Sequence, residues 1–123
     1  MEKRTIENYC KTILFLDRGK GASSIDISKS LGISKISVSI TLKKLKKENY
    51  ISMHKYGKVR LTSRGKEIAK KIVERYSILL NFLKSIGVEE KLAEKEACAM
   101  EHVLSAQTIK KLDVFLKNIK TTI

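Results

Sequence analysis

Four residues in the C-terminal third, Glu94, Cys98, Glu101 and His102, are of types that bind ions. Their spacing is i, i+4, i+7, i+8, so a helix would carry all four on one face. Cys98, Glu101 and His102, at i, i+3 and i+4, start about 5–6 Å apart on a helix and can converge on one point. A thiolate, a carboxylate and an imidazole together suit a divalent transition metal, with Zn2+, iron, Co2+ and Ni2+ all chemically acceptable. Glu94 is a secondary candidate one turn earlier. A plainer reading also stands: cysteine is often just a small buried residue, and a Glu–His pair can be only a hydrogen bond.

A second stretch points to a different partner. Residues 34–48, SKISVSITLKKLKKE, have helical period. Ile36, Ile40 and Leu45 form the expected inward stripe, with Val38 and Leu42 as the alternative set. Outward come the short hydroxyls Ser37, Ser39 and Thr41, then the cations Lys43, Lys44, Lys46 and Lys47. Short hydroxyls permit close approach and lysines suit phosphates, which is the chemistry of a helix laid in a DNA major groove. Ser34 and Lys35 open the same helix and join the candidate DNA-contacting set. A solvated lysine-rich helix fits the same pattern.

The surrounding elements can position both stretches. Residues 3–18 read as a first helix with Ile6, Tyr9, Cys10, Ile13 and Leu16 inward, ended by Gly19 and Gly21. Ser24 is the expected N-cap of a short second helix, Ile25 to Leu31, with Gly32 just beyond it and Ser34 capping the third. Two short helices joined by LGIS form a helix-turn-helix signature, so the third is the recognition helix. Two short β-prone runs follow, Tyr50–His54 and Lys58–Leu61, with a turn at Tyr56-Gly57. A hairpin there is a wing, and Lys55, Lys58 and Arg60 give it positive charge for the DNA backbone or minor groove. Thr62 caps a long fourth helix, about 63–86, carrying Ile68, Ile72, Tyr76, Leu79, Leu80 and Leu83 inward. A fifth helix spans about 89–104. Ser105 caps a sixth to about 120, with Ile109, Leu112, Phe115, Leu116 and Ile119 inward. The apolar surplus of helices four to six predicts a subunit interface, and a helix-turn-helix protein needs a dimer to read two half-sites.

Composition agrees. The chain has 123 residues, no proline and six glycines, and its hydrophobic content is 42%. These values predict a mostly helical fold with a small β-wing. The division expected is a winged helix-turn-helix DNA-binding domain over 1–63 and a helical dimerisation and metal-binding domain over 64–123. Net charge is +13, unevenly spread: residues 1–66 hold 16 Lys/Arg against 5 Asp/Glu, and residues 67–123 hold 10 against 8. A basic half joined to a near-neutral half suggests that one part meets a polyanion, and double-stranded DNA fits better than a membrane. There is no apolar run of membrane-span length and no signal-peptide core, and Cys10 and Cys98 are far apart, so a cytoplasmic protein with free thiols is expected. No phosphate loop, no HExxH and no acid–base set suggests an enzyme or a small-molecule substrate.

The ordered set Glu7-Asn-Tyr9, LGIS-x-x-SVS (31–39) with LKKL (42–45), VRLTSRG (59–65) and Cys98-x-x-Glu-His102-x-Leu-Ser105 resembles the diphtheria toxin repressor family of iron- and manganese-dependent repressors. The resemblance covers nearly the whole chain and implies the short form, without an SH3-like domain. It implies metal ligands at Cys98, Glu101 and His102, with Asn8 supplying a further one from the first helix. It favours Fe2+ or Mn2+, and cysteine at position 98 resembles the iron-responsive branch. Other ligand positions of the manganese branch fall on Lys11, Tyr76, Leu80 and Glu94, so a second site looks degraded and one metal per subunit is implied. The resemblance further implies a homodimeric repressor on a palindromic operator, with metal between the first and fifth helices fixing the DNA-binding domains. Two other functions compete: a winged-helix regulator that has lost metal dependence and responds through Cys98 or Cys10, and a helical interaction protein whose basic half binds nucleic acid non-specifically.

Overall fold

The structure is a computed structural model that describes the backbone of residues 1–122 and the side chains through residue 119. It is mostly helical: α1 (Lys3–Leu16), α2 (Ser24–Leu31), α3 (Lys35–Lys47), β1 (Ile51–Met53), a short 3-10 turn (Lys55–Gly57), β2 (Val59–Leu61), α4 (Ser63–Ser85), α5 (Glu90–Met100) and α6 (Ala106–Thr122). This is a winged helix-turn-helix followed by a helical region. The chain divides into two compact units, residues 1–70 and 71–123. The division falls inside α4, because Ala69 and Ile68 still pack with the first core while Leu79 and Leu83 build the second.

In the first unit, α1 buries Tyr9, Cys10 and Ile13 against Ile27 of α2 and the Val38–Leu42–Leu45 seam of α3. Helix α1 stops at Leu16, two residues before the expected end. Asp17 takes an extended conformation, and its carboxylate accepts the N–H groups of Gly19 and Gly21, both at 2.8 Å. The cap of α2 is Ser23 rather than Ser24: its Oγ accepts from the Asp26 N–H at 3.1 Å. Gly32 sits in the left-handed region and the Ile33 N–H reaches back to the Ser28 carbonyl, which makes the tight exit a helix-turn-helix needs. Ser34 caps α3 as expected, accepting from the Ser37 N–H.

The far end of α3 closes in the same way without glycine. Asn49 adopts φ 66°, and the Tyr50 and Asn49 N–H groups bond the carbonyls of Leu45 and Lys46. The wing then forms as an antiparallel pair, Ile51 opposite Leu61 and Met53 opposite Val59. A third short stretch joins it where Ala22 and Val59 exchange backbone hydrogen bonds of 2.8 Å.

The LTSRG segment (61–65) locks the wing to α4. Thr62 Oγ1 donates to the carbonyls of Asn49 and Tyr50 and accepts the Gly65 N–H, so it caps α4 and pins the chain after α3. The Arg64 guanidinium lies 4.1 Å over the Tyr50 ring and donates to the Glu48 carbonyl at 2.7 Å. A Cβ on Gly65 would stand 2.2 Å from the Tyr50 carbonyl oxygen, so no larger residue fits.

The second unit packs Leu79, Leu83, Ala93, Ala97 and Ile109 together. Helix α5 ends at Met100, four residues before the expected point. Ser105 must leave helical geometry to accept the Thr108 N–H and cap α6, and the Val103 and Leu104 N–H groups both fold back onto the Met100 carbonyl. On α6, Ile109 and Leu116 are buried, but Phe115 and Ile119, both expected inward, are exposed in the single chain.

Two outcomes are expected. Gly65→Ala should lower unfolding free energy by about 3 kcal/mol, because backbone must move to admit the methyl; urea unfolding followed by circular dichroism measures it. For Asp17, burial pushes the carboxyl up, but the Gly19 and Gly21 N–H groups and the Arg60 guanidinium outweigh that and hold it below the usual range. Its stabilising contribution is therefore complete above the ordinary aspartate value and is lost as pH falls through the lowered one. Asp17→Asn should make stability fall less steeply as pH drops below about 4, the ordinary aspartate value.

Candidate DNA-binding face and metal centre

The rotation of α3 is fixed by Val38, Leu42 and Leu45, all buried, so its opposite side faces solvent. Ser34, Lys35, Ser37, Ser39, Lys43, Lys44 and Lys47 are all exposed. Thr41, expected outward, is half-buried because it lies beside Leu42 and Leu45. Ile36 and Ile40, expected inward, are exposed instead: the alternative stripe through Val38 and Leu42 fills the core. On the wing, Val59 and Leu61 point inward and Arg60 outward. Arg60 Nε donates to Asp17 Oδ2 at 3.0 Å, so part of its charge is already committed to the loop after α1. Lys58 is half-buried, while Tyr56 stands fully exposed at the wing tip with φ 62°.

The candidate metal ligands are distributed over both units. Asn8 is half-buried on α1 in the first. In the second, Cys98 lies on α5 and Glu101 and His102 directly follow its last residue. Glu101 is buried and the His102 side chain only 4% exposed, with Nε2 3.4 Å from Glu101 Oε1. Cys98 is exposed. Helix α5 ends at Met100, Glu101 is its C-cap in helical conformation, and His102 lies in the following turn, so the three expected donors span the helix end. Among the described residues, no three His, Cys, Asp or Glu side chains gather into a group able to hold an ion. Glu94 is exposed on α5.

Two of the donors do fit. An imidazole nitrogen and a carboxylate oxygen 3.4 Å apart have the separation of two ligands on one first-row ion, whose bonds to N and O run about 2.0–2.2 Å. Both are already desolvated, so an ion binding there removes little further water from them. Arg75 holds the segment that presents them: its Nη1 donates to the carbonyls of Glu101 and Leu104 at 3.5 and 3.4 Å, closing the C-terminus of α5.

Tyr76 is a neighbour of this group. Burial first, and then the nearby Cys98, Glu94 and Glu101, push its phenol above the usual tyrosine range. The other thiol, Cys10, is buried, and burial together with the Glu7 charge pushes its pKa up to about 12. It is a protonated core thiol at neutral pH and is not poised for oxidation. Cys10 should therefore resist alkylation by iodoacetamide in the folded chain while Cys98 reacts, a difference that peptide mass spectrometry reads directly.

Comparison with known proteins agrees with both halves of the chain. Residues 1–59 match the family described as "Iron dependent repressor, N-terminal DNA binding domain", and residues 62–122 match "Iron dependent repressor, metal binding and dimerisation domain". The HTH-type transcriptional regulator MntR of Bacillus subtilis is 34% identical over 113 residues, covering 91% of this chain and 80% of that protein. An HTH-type transcriptional regulator of Methanocaldococcus jannaschii is 32% identical over 120 residues, covering 95% of this chain and 96% of that protein. Among solved structures, the manganese regulator SloR aligns with TM-score 0.80 and 27% identity over 91% of this chain, and IdeR of T. acidophilum with 0.77 and 26% over 90%. The chain spans about half the length of these two, 53% of each. It belongs to the iron-dependent repressor family, the diphtheria toxin repressor family of metal-responsive DNA-binding transcriptional regulators.

Proposed function

We propose that this chain is a metal-dependent repressor that binds a palindromic operator as a homodimer. The observation that carries the reading is the exposed side of α3: serines at its N-terminal end and lysines behind them, held outward by the buried Val38–Leu42–Leu45 seam. Ser34, Lys35, Ser37, Ser39, Lys43, Lys44 and Lys47, with Lys58 and Arg60 from the wing, meet DNA. Thr41, half-buried at the edge of this face, makes a lesser contact.

Residues 1–63 act as the DNA-binding part, and residues 64–123 as the dimerisation and metal-binding part. Exposed Leu92, Val103, Val114, Phe115 and Ile119 supply apolar surface for a second copy. The ion is held by Glu101 and His102, joined by Cys98 and by Asn8, with Glu94 in a minor role; the buried Glu101–His102 pair supports this. Iron and manganese lead, because the family is iron-dependent and solved relatives are manganese regulators. Zn2+, Co2+ and Ni2+ suit the same donors. One ion per subunit is expected, because Leu80 has no donor atom to offer a second. When bound, the ion supplies positive charge that ties its ligands together. The DNA-competent arrangement gains stability only by its tighter grip on the ion. The protein works in the cytoplasm, is not an enzyme and needs neither a membrane nor a small-molecule substrate. Among the described residues, no helix is long and apolar enough to cross a membrane.

Adding Mn2+ or Fe2+ should tighten binding to operator DNA at least fivefold, the lower end of ordinary allosteric coupling. His102→Ala should abolish that gain without lowering metal-free DNA binding; equal affinity with metal and with chelator would refute the reading. Lys43→Ala and Lys44→Ala should each reduce the salt slope of binding by about 1, measured by titration at several salt concentrations.

A further inference from the structure

We infer that Ile36 and Ile40 read thymine methyl groups, so that apolar contact at the centre of α3 sets part of its base preference. The inference rests on the DNA-binding reading above. Val38 and Leu45 are 0% exposed and Leu42 is 3%, which fixes how α3 is turned. With 3.6 residues per turn, Ile36 and Ile40 then fall on the opposite side, one turn apart and stacked along the axis. They are 74% and 52% exposed.

Helix formation does not explain them. A β-branched side chain loses rotamer freedom in a helix, and at a solvent-facing position it recovers no burial in return. Core packing does not explain them either, since the core seam is complete without them.

Their surroundings indicate the occupant. Ser37 and Ser39 flank the pair, and Lys43, Lys44 and Lys47 follow on the next turns, all exposed. Residues 1–66 hold 16 Lys/Arg against 5 Asp/Glu, so a partner for this face is a polyanion. A duplex offers phosphates to the lysines and polar base edges to the serines. Among the groups on the major-groove floor, one is apolar: the C5 methyl of thymine. Isoleucine has no donor or acceptor, so a polar base edge beneath it would lose water and gain no partner. Thymine is the base that suits both positions.

The test uses the full chain with Mn2+ and a random duplex pool. After selection, each thymine of the recovered site is replaced by deoxyuridine, which removes the methyl and leaves the pairing edge intact. Deoxyuridine should lower affinity about fourfold at the contacted thymines. That sensitivity should disappear at one of them in Ile36→Ala and at another in Ile40→Ala. Both side chains are exposed, so the variants should melt at the parent temperature; circular dichroism confirms that they fold. Deoxyuridine without effect at every thymine, or losses undiminished in both variants, would overturn the inference while leaving sequence-specific binding intact. A pool that yields no enriched sequence would overturn the DNA-binding reading, and this inference with it.

Discussion

Everything this chain can do with DNA depends on how α3 is rotated, and three side chains decide that. Val38, Leu42 and Leu45 are the residues of α3 that reach the first core, where they meet α1, α2 and the wing. Burying three branched aliphatic side chains contributes on the order of 5 kcal/mol in transfer free energy, far more than any exposed lysine contact can oppose. A rotation that buried Ile36 and Ile40 instead would expose those three. The outward placement of the serines, the lysines and the two isoleucines is thus a consequence of core packing. The ends of the helix are set as firmly, by the Ser34 cap at one end and by Asn49 with Arg64 at the other.

The joint between α5 and α6 places a comparable constraint on the second unit. Ser105 has to cap α6, so the chain leaves helical geometry before it, and the candidate ligands fall on the last residues of α5 and the turn after it. Glu101 turns inward beside His102, and Cys98, one turn earlier, faces solvent. The Glu101 carboxyl and the His102 imidazole, both buried, lie 3.4 Å apart, within ion-pair reach of each other. The third and fourth donors must come from elsewhere to close a shell, and that requirement is what lets an ion report on the arrangement of the protein around it.

The fold was largely legible in the sequence because its boundaries are written in short-range chemistry. Ser34 and Ser105 cap, Gly32 exits left-handed, Tyr56-Gly57 turns, and the apolar spacing in α1 and α4 marks their inner faces. Four features were not legible. On α3 two stripes, Ile36–Ile40 and Val38–Leu42, both have helical period, and the choice between them is made by α1 and α2, which no local pattern encodes. The role of LTSRG as a clamp depends on Tyr50 meeting Gly65 and Arg64 across the hairpin. The end of α5 depends on the Ser105 cap, five residues after Met100, so Glu101 falls at the helix end and His102 in the turn after it. On α6, Leu116 fills the core while Phe115 and Ile119 stay outside it in the single chain, a choice that the helical spacing alone leaves open.

The coupling of ion to DNA is the central claim, and thermodynamic reciprocity tests it directly. Mn2+ affinity of the dimer should be measured by titration without DNA and with saturating operator duplex. If the ion favours the DNA-binding arrangement, the duplex must tighten Mn2+ binding by the same factor that Mn2+ tightens duplex binding, at least about fivefold. An Mn2+ affinity that does not change when the duplex is bound would contradict the claim.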